Sequence, residues 1–314
     1  MGTITFGVGV VPYYHWPSLD ALVEFAQVAD RLGLDSISLP DHIAVPDTPV
    51  RPRSGDVWHD IFTLGTLIAA HTTNLGIRFN ALVVPMRPAL PQARQIASLD
   101  LVSKGRLSIV AGAGWMEPEF VALGIPFAER GAITDEYLRA MKALWVEEKA
   151  SFHGRYVSFD DVIFEPKCVQ RPHVPIWVGG TGAAPFRRVV ELGDGWAPMT
   201  GTFDERARDV VMLKRRAEEA GRDPGTLGFA GGLRVGETNE VAQRMMRGHH
   251  ATERDIADAN RRAAFSADAA LEEIERSAAA GFTHLEVSIA WDTPQDYAEK
   301  LTWFAENVLA RVQR

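Results

Sequence analysis

One join recurs along this chain and limits what it can become: an amphipathic helix that ends in glycine and hands over to an apolar, β-branched run. It occurs as RLGLDSISL around Gly33, VSKGRLSIV around Gly105, ELGDGWAPM around Gly193 and AAGFTHLEVSI around Gly281. The spacing, about 70 to 90 residues, is that of two βα units in a barrel whose units average about 40 residues. Four such pairs make eight units. The expected fold is therefore α/β, a (β/α)8 TIM barrel read as one domain over 1–314, with strands near 4–10, 35–39, 76–80, 106–111, 175–179, 195–199, 227–235 and 284–289.

The helices carry the matching period. Leu19, Leu22, Val23, Ala26, Ala29 and Leu32 recur at three- and four-residue steps behind a candidate N-cap at Ser18. Tyr137, Met141, Leu144 and Trp145 form a second stripe, and Tyr297, Leu301, Phe304 and Val308 a third. Four segments exceed a minimal barrel, roughly 43–59, 112–128, 150–174 and 236–266. The third alternates like a β-hairpin, and three of the four follow strand C-terminal ends, the face on which such a barrel builds its site.

Pro175 to Met199 is the most informative single stretch. It reads as a buried strand from Ile176 to Val178, a turn at Gly179, Gly180, Thr181 and Gly182, a helix from about Ala183 to Leu192 ended by Gly193, and a strand from Trp196 to Met199. Small residues where a strand meets a helix N-terminus leave backbone N–H groups free beside the positive end of a helix dipole, which suits a phosphate. The plainer alternative is a tight βα turn and nothing more.

The formal charge of −8 argues against nucleic acid or an anionic membrane as a broad-surface partner. The single cysteine, Cys168, allows no internal disulfide and no multi-thiolate metal site, as suits a reducing cytoplasm. The first residues read as a strand rather than a signal peptide, and no apolar run approaches membrane-spanning length.

The strand ends supply a short inventory: Tyr13, Tyr14, His15 and Trp16 after strand 1, Pro40, Asp41 and His42 after strand 2, Asn80 and Ala81 after strand 3, and Gly112, Ala113, Gly114 and Trp115 after strand 4. Met199 follows strand 6, and Ala290 and Trp291 follow strand 8. The set is aromatic, glycine-rich and nearly free of charge, so it fits a large flat ligand with a phosphate at one end. No nucleophile elbow and no metal-binding His/Glu motif is present, and no metal is expected. His249 and His250 are adjacent and read as surface residues. Asp41-His42 is the dyad placed for acid–base work, with a structural histidine as the alternative.

Four motifs, SISLPDH (36–42), SLDLVSKGRLSIVAGAGW (98–115), PIWVGGTG (175–182) and ELGDGWAPM (191–199), resemble the luciferase-like monooxygenase superfamily, and within it the coenzyme F420-dependent oxidoreductases. The resemblance implies an isoalloxazine-like ring over the barrel mouth, bound by Asp41, Asn80, Ala81, Gly112, Ala113 and Gly114, with its phosphate on Gly179, Gly180, Thr181 and Gly182. It implies a bulge at Asn80-Ala81, often with a non-prolyl cis peptide, and His42 and Asp41 as the catalytic pair. Family sugar-phosphate dehydrogenases carry a glutamate where this chain has Trp115, which speaks against glucose 6-phosphate; Glu117 is a candidate substitute.

The leading expectation is an F420-dependent oxidoreductase acting on a small organic molecule, with Tyr13, His15, Trp115 and Trp291 on the substrate side. The alternatives are an FMN-dependent two-component monooxygenase fed by a partner reductase, and a catalytically silent flavin or deazaflavin binder. Arg187 or Arg234 would meet the anionic tail of F420. The resemblance also implies a homodimer, for which the stripe Ile61, Leu64, Leu67 and Ile68 is a candidate contact, barrel packing being the other reading.

Overall fold

The computed structural model describes residues 4–48, 55–237 and 252–312. His249 and His250 lie outside them. The elements run β1 (Thr5–Gly9), α1 (Leu19–Arg31), β2 (Ser36–Leu39), α2 (Ile61–His71), β3 (Gly76–Val83), α3 (Ala89–Val102), β4 (Leu107–Gly112), α4 (Glu117–Ala122) and α5 (Arg130–Val146). They continue with β5 (Ala150–His153), β6 (Ser158–Val162), β7 (Ile176–Gly179), α6 (Ala183–Leu192), β8 (Gly195–Ala197), α7 (Phe203–Glu219), β9 (Gly228–Val235), α8 (Glu253–Arg261), α9 (Ala267–Ala279), β10 (His284–Ile289) and α10 (Pro294–Asn307).

Eight parallel strands close in the order β1-β2-β3-β4-β7-β8-β9-β10, with β10 returning to β1 through the register Thr5↔His284 to Val8↔Val287. Every barrel strand expected from the sequence is present. The hairpin is there too, as the antiparallel pair β5 and β6. The strand expected to reach Met199 stops at Ala197, which frees Met199 for the barrel mouth.

The sequence period becomes the outer core. Ser18 caps α1 by accepting from Ala21 N at 3.2 Å, and Leu22, Val23, Ala26 and Ala29 turn inward while Leu19 stays exposed. Tyr297, Leu301, Phe304 and Val308 are buried in the same layer. Ile61, Leu64 and Ile68 are likewise buried within the chain, so the α2 stripe is barrel packing and not a free contact face. Among the described residues no helix is long and apolar enough to cross a membrane.

The four glycine joins are not equivalent. Gly33, Gly105 and Gly281 take φ of 76°, 80° and 92°, the left-handed region that ends a helix. Gly193 does not: its φ is −93°, and a Cβ there would meet Val178 Cγ2 at 3.0 Å and the Val189 backbone at 3.2 Å. It is glycine because α6 and β7 approach closely.

The barrel lumen departs from the usual branched apolar filling. Trp177 of β7 lies 6.1 Å from the His284 ring of β10, a contact possible only across the interior. Gly195 and Gly228 make room for it, since a Cβ on either would come within 2.6 Å of the indole.

Candidate active site

At the C-terminal ends of β2, β3, β4 and β7 the barrel opens into a chamber of about 520 Å³. Its wall contains Asp41, His42, Asn80, Ala81, Gly112, Ala113, Gly114, Trp115, Gly179, Gly180 and Thr181, together with Pro40, Arg130, Arg188 and Met199. Residues from Pro40 to Met199 thus share one cavity because successive parallel strands all end on one face.

The Asn80–Ala81 peptide is cis, and the β3–β4 register skips Ala81, with Asn80 opposite Val110 and Leu82 opposite Ala111. The skipped residue faces the chamber beside Gly112, where a Cβ would lie 3.2 Å from that of Ala81. The bulge and the glycine therefore form one flat stretch of wall.

His42 and Asp41 follow β2 and are held by different partners. Glu119 of α4, wholly buried, accepts from His42 Nδ1 at 2.7 Å through Oε2, and its Oε1 accepts from Ile43 N at 2.7 Å and Ala44 N at 3.0 Å. With Nδ1–H committed to a carboxylate, Nε2 is the nitrogen left to exchange a proton. The imidazole also packs against the Trp58 and Trp115 rings, at 4.4 and 6.0 Å.

Asp41 is 3% exposed, and both of its oxygens are occupied. Arg87 donates to them through Nη1 at 2.7 Å and Nη2 at 2.9 Å, and Val83 N adds a third bond at 3.1 Å. Burial works against the guanidinium charge, but Asp41, with Asp60 beyond it, holds the Arg87 pKa above its ordinary value. The forked pair ties the end of β2 to the end of β3.

Next along the barrel, past β4, lies the β7–α6 turn, where Gly180 and Gly182 take φ of 96° and 99°. Trp196 Nε1 donates to Gly180 O at 2.7 Å and turns that carbonyl toward the core. The N–H groups of Thr181, Gly182, Ala183 and Ala184 have no protein acceptor among the described residues, and Thr181, Ala184 and Pro185 line the chamber. A backbone that shows only donors at the start of a ten-residue helix is a fitting cradle for a phosphate. Gly182 sits just beyond the wall as the helix N-cap.

Not every residue singled out in the sequence reaches the chamber. Trp115 does. Tyr13 is 2% exposed and packs against Trp58 and His59, and burial, with the charge of Asp41, pushes its hydroxyl pKa up. Trp291 stacks on Tyr297 at 5.0 Å and 6° and meets the His15 ring at 5.2 Å, so both belong to an aromatic cluster beside α10. Glu117 is exposed, and the carboxylate that reaches His42 is Glu119. Arg187 is paired with Asp135 and Glu191, and Arg234 bonds Asn260; neither lines the chamber. The arginines that do are Arg130, donating to Gly114 O at 3.1 Å, and Arg188, bonded to Asp135 and to Gly131 O.

Glu119 and Arg87 escape sequence reasoning for a physical reason. Glu119 stands at the third position of a helix, where an acid is ordinarily read as complementing the helix dipole. Arg87 precedes a proline in a short connection, and nothing local marks its partner 46 residues earlier.

A model of the family described as luciferase-like monooxygenase matches residues 2–310. An uncharacterised protein of Mycobacterium tuberculosis (strain ATCC 25618 / H37Rv) is 32% identical over 212 residues, covering 63% of this chain and 74% of that protein. The FMNH(2)-dependent dimethylsulfone monooxygenase of Pseudomonas putida is 32% identical over 167 residues, 51% of this chain and 43% of that one. Among solved structures, an F420-dependent secondary alcohol dehydrogenase in complex with an F420-acetone adduct superposes with a TM-score of 0.78 at 20% identity, over 99% of this chain and 100% of the other. At that identity the likeness speaks for the fold.

Proposed function

Because the chain belongs to the luciferase-like monooxygenase family, we propose that it is an oxidoreductase that holds coenzyme F420 in the chamber and moves a hydride between the deazaflavin and a small organic substrate. The carrying observation is that one chamber has a donor-only backbone turn at one end and an imidazole of fixed orientation at the other. A ligand with a phosphate at one extremity and a proton-coupled reacting centre at the other fits both.

In this reading the amides of Thr181 to Ala184 bind the phosphate, with Gly179 and Gly180 keeping the approach clear. The Asn80–Ala81 bulge and Gly112 to Gly114 support the ring. The bound deazaflavin supplies the carbon that carries the hydride. His42 Nε2 gives or takes the accompanying proton, and Glu119 stabilises whichever form bears it. Asp41 acts at one remove: its oxygens belong to Arg87 and Val83, so it fixes the loop on which His42 stands. Trp115 borders the substrate, Tyr13 supports it through Trp58, and His15 and Trp291 brace the neighbouring wall.

The test is a fluorescence titration of the purified protein with F420 and with FMN. Micromolar binding of F420 is expected, and its absence overturns the reading. A second reading, an FMN-dependent monooxygenase supplied by a separate reductase, draws support from the Pseudomonas putida relative. It predicts oxygen consumption when the protein is mixed with reduced FMN and substrate.

A further inference from the structure

Glu286 stands outside the machinery assigned so far, yet it is a carboxylate inside the barrel with one oxygen to spare. Its side chain points into the lumen: Oε2 accepts from Ser38 Oγ at 2.9 Å, reaching β2 from β10 past the intervening β1. Oε2 is also 3.5 Å from His284 Nε2. A Cβ on Gly7 would meet Oε2 at 2.9 Å, whereas Oε1 lies nearest Gly9, closer to the mouth, at 3.8 Å from a Cβ built there. Oε1 has no protein hydrogen bond among the described residues, and 27% of the side chain is exposed.

The surroundings keep that oxygen available. Arg78 of β3 is 3% exposed, lies over the Trp177 ring at 4.2 Å, and has no hydrogen-bond partner for Nε or Nη2. Burial lowers its pKa to about 10, with Glu286 acting in the opposite sense, so it stays charged at neutral pH. Among the described residues no carboxylate pairs with it, and Arg78 stands two residues before Asn80 of the chamber wall. Burial also pushes the His284 imidazole below its ordinary range, which favours the neutral ring. The lumen thus offers an acceptor at its mouthward side with a buried cation in electrostatic reach.

We propose that Glu286 is a substrate-recognition residue whose Oε1 accepts a hydrogen bond from a neutral hydroxyl group. The proposal rests on the chamber being the oxidoreductase site argued above. A hydroxyl satisfies the open oxygen without bringing a second positive charge toward Arg78, which an alkylammonium would do. Glycine at position 7 admits the Glu286 side chain itself, and at positions 9 and 232 it leaves room beside it, since a Cβ there would meet nothing nearer than Glu286 Oε1 at 3.8 Å and Glu286 O at 3.9 Å. The substrate class is therefore an alcohol rather than a hydrocarbon or a cationic amine.

Saturation-transfer NMR on the purified protein, without added cofactor, tests this with cyclohexanol, its methyl ether and cyclohexylamine. Cyclohexanol is expected to bind about tenfold more tightly than the ether or the amine. Glu286→Gln, which keeps an acceptor for Ser38, should reduce the alcohol's advantage at least severalfold while its circular dichroism stays unchanged. Equal binding of alcohol and ether to the natural protein, preference for the amine, or no alcohol binding at millimolar concentration overturns the proposal without any variant. Because no cofactor is present, alcohol preference alongside a failed F420 titration would sink the reading of the cofactor and leave the recognition site standing.

Discussion

The two walls of the chamber solve the same problem with different materials. On the β2–β4 side, order comes from charged side chains locked in pairs: Glu119 on His42 and two backbone amides, Arg87 on Asp41. On the β7–α6 side it comes from the backbone of a turn with two left-handed glycines, helped by one neutral side chain, Trp196, that holds a carbonyl aside. The difference follows from the tasks proposed. A proton must be exchanged at one chosen nitrogen, which takes a titratable ring with a fixed tautomer; a phosphate already carries its charge and asks only for aligned donors.

If the division is real, substitutions on the two walls should separate rate from affinity. His42→Ala should lower kcat by about 10²- to 10⁴-fold with little change in cofactor affinity, measured by steady-state kinetics beside a binding titration. An unchanged rate would support a silent binder. Arg87→Ala leaves the buried Asp41 carboxylate without its cation and should cost about 3–5 kcal/mol of unfolding free energy by denaturant titration. Glu119→Gln keeps the shape and removes the charge facing three donors; a loss of about 1.5–3 kcal/mol is expected, with a lower kcat and a shifted pH profile. On the other wall, Gly180→Val strains a residue at φ 96° and brings a Cβ to 3.4 Å from Pro185. It should weaken cofactor binding about tenfold while kcat at saturation holds. A fall in kcat at saturation with affinity kept would erase the contrast between the walls.

The same contrast governs what was legible in the sequence. The barrel was readable because its strands and helices are written in local periods, and the glycine turn because it is contiguous from Gly179 to Gly182. The side-chain wall was half readable: Asp41 and His42 stand at a strand end, but Glu119 and Arg87 find them only through the closure of the barrel, 77 and 46 residues away. Tyr13, His15 and Trp291 were named from strand ends too, and the structure packs them against other rings, outside the chamber lining. Glu286 and Arg78 were missed because each sits inside a short apolar strand, where position says lumen or core but not which. Gly193 ends α6 as the sequence suggests, but what demands glycine there is close approach to Val178 and Val189 and not a left-handed φ, a distinction only those valines reveal.

The proposed grip of the backbone turn after β7 on a phosphate is what holds the cofactor in place, and one pair of titrations addresses it directly. FMN and F420 should each bind about 10²-fold more tightly than riboflavin and the phosphate-free deazaflavin core, the worth of one or two charge-assisted hydrogen bonds from Thr181 to Ala184. Equal affinity with and without the phosphate would contradict the assignment of the chamber.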